Sequence, residues 1–140
     1  MPSTRILVVD DDAAILRLVS TILRRERYHV DTASGGKEAL SKIELTKYDV
    51  VVLDLMMPEV SGLDVLRKLD VRFPQIKCVV LMSAASPLEI ARLITPNVFA
   101  ALRKPFDDID HLITAVRECV KARCNTAIPA LAPQPVPRAA

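Results

Sequence analysis

The 140 residues are enough for one domain with a buried core. A composition that is 51% hydrophobic and 26% charged excludes a disordered or fibrous chain. A formal net charge of +2, only 4% aromatic residues and no Trp argue against a nucleic-acid-binding surface.

The opening residues, Met1 to Arg5, lack the basic, apolar and small-residue succession of an export signal. Ile6-Leu7-Val8-Val9 is a short continuous apolar run and predicts a first strand, which ends in Asp10, Asp11 and Asp12. Ile15, Leu18, Val19, Ile22 and Leu23 then recur at helical spacing, with Arg24, Arg25 and Arg27 at the end where cations favour the helix dipole. Tyr28 to Ala33 predicts a second strand with Val30 inward, and Ser34 is placed to cap a second helix through Ala39, Leu40 and Ile43. Val50 to Leu53 predicts a third strand ending at Asp54. Ser61 and Asp64 form a capping box for a helix carrying Leu63, Leu66 and Leu69.

Ile76 to Met82 predicts the fourth strand. Ser86, Pro87 and Glu89 open a short helix that Pro96 must break. Val98 to Leu102 is the fifth strand, and Asp107 and Asp110 open a last helix with Ile109, Leu112, Ile113, Val116 and Val120 on one face. Continuous apolar strands alternating with amphipathic helices imply an α/β fold with a parallel sheet covered on both faces. From Asn125 the prolines at 129, 133, 135 and 137 prevent regular structure, so residues 1–124 are read as the domain and 125–140 as a mobile tail or truncated linker. Cys78, Cys119 and Cys124 are odd in number and form no CxxC pair, which suits a reducing compartment. No apolar stretch reaches the ~18 residues of a membrane span, so the expected location is the cytoplasm.

In an open parallel sheet, ligands bind at the carboxyl ends of the strands. Asp10 and Asp11 follow the first strand, Asp54 the third, Ser83 the fourth and Lys104 the fifth. Carboxylates gathered that closely repel unless a cation joins them. Mg²⁺ suits such hard oxygen ligands and tolerates a phosphoryl oxygen and waters beside them. Asp54 is then a candidate nucleophile toward a phosphoryl donor, and Lys104 and Ser83 are candidates to meet the charge on its oxygens. Taken singly, each residue has a plainer reading: acids at a helix start, a turn serine, a surface lysine.

Four segments resemble the signature segments of bacterial response-regulator receiver domains. They are Ile6 to Asp12, Val51 to Pro58, Leu81 to Ala84 and Lys104-Pro105-Phe106. The resemblance covers roughly Thr4 to Arg123. It implies a flavodoxin-like (βα)5 sandwich with strand order 2-1-3-4-5. It also implies Asp54 as phosphoacceptor, Asp11 as a direct Mg²⁺ ligand, Asp10 as a ligand through water and the Met56 backbone carbonyl as another. Ser83 would contact the phosphoryl group and Lys104 would pair with it. The implied donor is a phosphohistidine on a histidine kinase or phosphotransfer protein, and the implied output is contact with an effector protein, from a monomer or weak dimer.

The chain departs from that pattern at Ala101, where the family usually carries an aromatic switch residue. Phe99 lies two places earlier, the parity that would put it on the same face as Ala101. Asn97 and Val98 replace the usual Gly-Ala pair. The output face is therefore expected to be altered. Met56 and Ala85 occupy two positions that tune phosphoryl lifetime in the family, and neither side chain can position an attacking water.

Other functions fit less well. A dinucleotide enzyme needs a glycine-rich turn after the first strand, where three acids stand instead. An aspartate-nucleophile phosphatase wants an acid at position 56, which is Met. The chain is thus read as a signalling domain that assists only its own phosphorylation and dephosphorylation, not as a general enzyme. The alternative is a pseudo-receiver that works as an interaction module without phosphorylation.

Overall fold

Why the strands stack is visible in their burial: Ile6 to Val9, Val50 to Leu53 and Val79 to Met82 are all fully buried, as strands covered on both faces must be. The computed structural model describes residues 4–74, 76, 78–84, 98–104 and 109–124. In chain order the elements are β1 (Arg5–Val9), α1 (Ala13–Arg25), β2 (His29–Ala33), α2 (Gly36–Leu45), β3 (Val50–Asp54), α3 (Gly62–Arg72), β4 (Val79–Ser83), β5 (Val98–Arg103) and α4 (Ile109–Cys124). The strands form one parallel sheet in the order β2-β1-β3-β4-β5. The expected helix between Ser86 and Pro96 and the tail from 125 lie outside the described residues.

The alternation along each strand sorts side chains into two cores. Leu7, Val9, Val51, Leu53, Val79 and Leu81 pack with Ala39 and Ile43 of α2 and Val65, Leu66 and Leu69 of α3. Ile6, Val8, Val50, Val52, Val80 and Met82 pack on the opposite face with Val19 and Leu23 of α1 and Leu112, Val116 and Cys119 of α4. Cys78 joins the second core, where its thiol donates to the Cys119 carbonyl at 3.1 Å.

Three details differ from the periodicity reading. Leu18, assigned to the inner stripe of α1, is 42% exposed, while Ser20 is buried. Ser34 does not cap α2: Gly35 is the N-cap, and Ser34 donates both its N–H (2.9 Å) and its hydroxyl (3.0 Å) to Glu38. The third concerns β5. Val79 pairs with Val98 but Val80 pairs with Ala100, so one extra residue bulges there. Phe99 consequently packs on the α1/α4 side and Ala101 on the α2/α3 side. The expectation that Phe99 shares a face with Ala101 fails, because the bulge cancels the parity of two.

The end of α1 is closed in an unusual way. Tyr28 N–H bonds the Leu23 carbonyl and Arg27 N–H the Arg24 carbonyl, the paired bonds of a Schellman motif. Its left-handed position, normally glycine, is Arg27 at φ 74°.

Candidate functional site

The site stands at the carboxyl ends of β1, β3, β4 and β5. The three consecutive acids after β1 divide their tasks. Asp12 is the N-cap of α1 and accepts from Ala14 N–H (2.8 Å) and Ile15 N–H (3.3 Å). The plain helix-start reading is therefore correct for Asp12. Asp10 turns inward, fully buried, and its Oδ1 accepts from Asp12 N–H at 2.8 Å. Asp11 is exposed.

Asp54 ends β3 at 3% exposure, and its Oδ1 accepts from Met56 N–H at 3.2 Å. One carboxylate oxygen each from Asp10, Asp11 and Asp54 lies within 4.8 Å of the others. Lys104 reaches across from the end of β5. Its Nζ is 2.5 Å from Asp10 Oδ2 and 3.4 Å from Asp54 Oδ2. Ser83 is fully buried at the tip of β4, and its carbonyl accepts from Lys104 N–H at 2.9 Å. The five side chains singled out from the sequence are thus brought to one rim. Met56 contributes its backbone there, while its side chain is 63% exposed.

The electrostatics follow from that crowding. Burial, and next the Asp10 charge, push Asp54 up to about 6, and the Met56 N–H and Lys104 offset them only in part. Burial alone would lower the Lys104 pKa, but its bond to Asp10 and the charges of Asp54 and Asp10 outweigh it and hold the ammonium above its ordinary value. Among the described residues, three carboxylates gather at the rim, and one ammonium pairs with two of them. The uncompensated charge, the hard oxygen donors and the exposed Asp11 fit a divalent cation.

The loop between β3 and α3 is set by two glycines. A Cβ on Gly62 would lie 2.0 Å from the Asp54 carbonyl oxygen, and one on Gly36 would lie 2.5 Å from the Val60 carbonyl oxygen. The first turns of α3 and α2 thereby press against this loop from both sides. Within it Glu59 adopts φ 62°, a left-handed conformation. Neither glycine was singled out from the sequence. The available signal was a glycine directly after the Ser61 cap, where a better helix former would otherwise be favoured.

Residues 6–117 match the family described as the response regulator receiver domain. The chain belongs to the response-regulator receiver family. Among curated relatives, the probable transcriptional regulatory protein TcrX of Mycobacterium tuberculosis is 42% identical over 125 residues, covering 88% of this chain and 52% of that protein. ResD of Bacillus subtilis, a transcriptional regulatory protein, is 48% identical over 66 residues, covering 47% of this chain and 28% of that protein. The receiver thus spans about half or less of these relatives. Among solved structures, the response regulator TrrA of Thermotoga maritima in complex with Mg²⁺ and BeF is 34% identical, with a TM-score of 0.72 over 83% of this chain and 98% of that one. A CheY-like receiver from Methanospirillum hungatei is 28% identical, with a TM-score of 0.77 over 89% and 99%. The receiver carries the family's acidic phosphoacceptor site and acts as a signalling module on its own phosphoryl group. No helix among the described residues is long and apolar enough to cross a membrane.

Proposed function

We propose that Asp54 is the phosphoacceptor and that a phosphohistidine of a histidine kinase or phosphotransfer protein is its donor. The observation that carries this reading is the placement of a buried carboxylate between a backbone N–H at 3.2 Å and an ammonium at 3.4 Å. An Asp54 oxygen forms the new bond to phosphorus as the bond from phosphorus to the donor imidazole nitrogen breaks. Met56 N–H fixes the carboxylate, and Lys104 meets the charge of the transferred group. The buried Ser83 hydroxyl is a further partner for its oxygens. Asp11 and Asp54 would hold Mg²⁺ directly, Asp10 through water, with the Met56 carbonyl as an added ligand. When bound, the ion supplies charge neutralisation for the phosphoryl oxygens.

The convergence of Asp10, Asp11, Asp54 and Lys104 speaks against the pseudo-receiver alternative, which has no use for so much unshielded charge. Residues 1–124 form the receiver in this reading and 125–140 a Pro/Ala-rich tail or linker. Output passes to an effector protein from a cytoplasmic monomer or weak dimer, through a face altered around Ala101, without nucleic-acid contact by this chain. The test is intact mass after incubation with a small phosphoryl donor and Mg²⁺. Wild type gains one phosphoryl group and Asp54→Asn gains none. Equal labelling of both would overturn the assignment.

A further inference from the structure

β2 is the outermost strand on its side of the sheet, so among the described residues one of its edges has no neighbouring strand. In a parallel ladder the backbone groups of successive residues face opposite sides. His29 N–H bonds the Thr4 carbonyl, and the Ala33 carbonyl accepts from Asp10 N–H, so the odd-numbered residues of β2 face β1. The N–H and C=O groups of Val30 and Thr32 therefore face outward. Both of these outward carbonyls are taken, each by a cation. Arg24 Nη2 donates to the Val30 carbonyl at 2.9 Å, and Lys42 Nζ donates to the Thr32 carbonyl at 2.5 Å. Arg24 comes from the last turn of α1 and Lys42 from the last turn of α2, helices that pack on opposite faces of the sheet. Glu38, one turn before Lys42, lies 3.2 Å from its ammonium and steadies it.

We infer that Arg24 and Lys42 guard the free edge of β2 against strand addition by a second copy of this chain. A strand joining that edge must donate amide hydrogens to the Val30 and Thr32 carbonyls and accept from their N–H groups. It finds both acceptors held by charge-assisted bonds, which are stronger than the neutral amide bonds that would replace them. Other ways of blunting an edge are missing from this strand. His29 to Ala33 contains no proline, and its register with β1 runs unbroken, without a bulge. The partner that such an edge fits best is the same edge on another copy, because a two-fold axis would set two β2 strands side by side with identical groups facing. The two cations reach the edge from separate helical layers, so losing one leaves the other carbonyl covered.

The test is sedimentation velocity of the full chain across a range of concentrations. Wild type is compared with the edge variant Arg24→Met/Lys42→Met and with Arg67→Met/Lys68→Met, which removes two exposed cations of α3 and so controls for lost charge. The edge variant self-associates about tenfold or more tightly than wild type, and the control behaves as wild type. Adding Thr32→Pro to the edge variant deletes an outward N–H without touching the bonds to β1, and it abolishes the association. An edge variant that associates no more than wild type overturns the inference. So does association that the control matches or that survives Thr32→Pro. Should the double variant fail to fold, Arg24→Met and Lys42→Met are measured singly. Each frees one carbonyl and raises association above wild type, and no rise in either overturns the proposal.

Discussion

Phe99 and Ala101 lie on opposite faces of the sheet, separated by the bulge in β5. Phe99 is a packing residue against the α1/α4 core, and Ala101, on the α2/α3 side, has only a methyl group. Phe99→Ala is expected to cost roughly 1–2 kcal/mol in urea unfolding, less than a fully buried aromatic. It should leave beryllofluoride binding unchanged. With nothing at 101 to swing inward, beryllofluoride and Mg²⁺ should not convert the chain from monomer to dimer. A clean shift in sedimentation on loading would count against this.

Asp54 titrates at about 6 in the fold against an ordinary value of 3.8. The folded state then holds more protons than the unfolded state between those values. The stability linked to this proton is complete below about pH 4 and is lost as pH rises through 6. At neutral pH the ionised group destabilises the metal-free fold by up to about 3 kcal/mol. Asp54→Asn should therefore melt higher than wild type at pH 7.5 without divalent ion. The gap should narrow as pH falls to 4 and when Mg²⁺ is added. An equal gap at both pH values would contradict it.

Gly62→Ala should be severely destabilising. Its Cβ would stand 2.0 Å from the Asp54 carbonyl oxygen, a backbone atom that no rotamer can move aside. A loss of roughly 3 kcal/mol or more is expected, together with weakened phosphorylation. Gly35→Ala is the control, because a Cβ there meets nothing within 4 Å. Urea midpoints for the pair separate close approach from a general effect of removing glycine.

Arg27→Gly should stabilise the protein by about 1 kcal/mol, since the left-handed φ of 74° strains any residue with a Cβ. The larger backbone entropy of glycine in the unfolded chain offsets part of the gain. Thermal or urea unfolding measures it, and a loss of stability would mean that the arginine side chain matters more than its backbone.

Met56, largely exposed beside Asp54, has no group to orient an attacking water. Phosphorylated protein should therefore persist for minutes rather than seconds, and Met56→Asn should shorten its lifetime. Mass spectrometry after donor removal reads both.

The sheet order and the site were legible because they depend on strand ends: apolar runs locate the strands, and the polar residue that stops each run is the one that reaches the rim. What stayed hidden depends on contacts across the chain. Nothing in Val98 to Leu102 marks the bulge, since no glycine or proline interrupts the run. Ser34 has the right chemistry for a cap but sits one residue early, and its hydroxyl goes to Glu38. Leu18 fits the apolar period of α1 yet is exposed, because periodicity gives an angle and not the width of the covered stripe. Asp12 was readable as a cap, but its division of labour with Asp10 and Asp11 required the turn itself.

Lys104 is fastened at both ends, by its amide to the Ser83 carbonyl and by its ammonium to Asp10. Three strand tips are therefore laced together by one residue. Whatever loosens the ammonium leaves the amide stitch in place, so β4 and β5 stay in register while the charge moves. The rim can rearrange its ionic partners without the sheet beneath it coming unsewn.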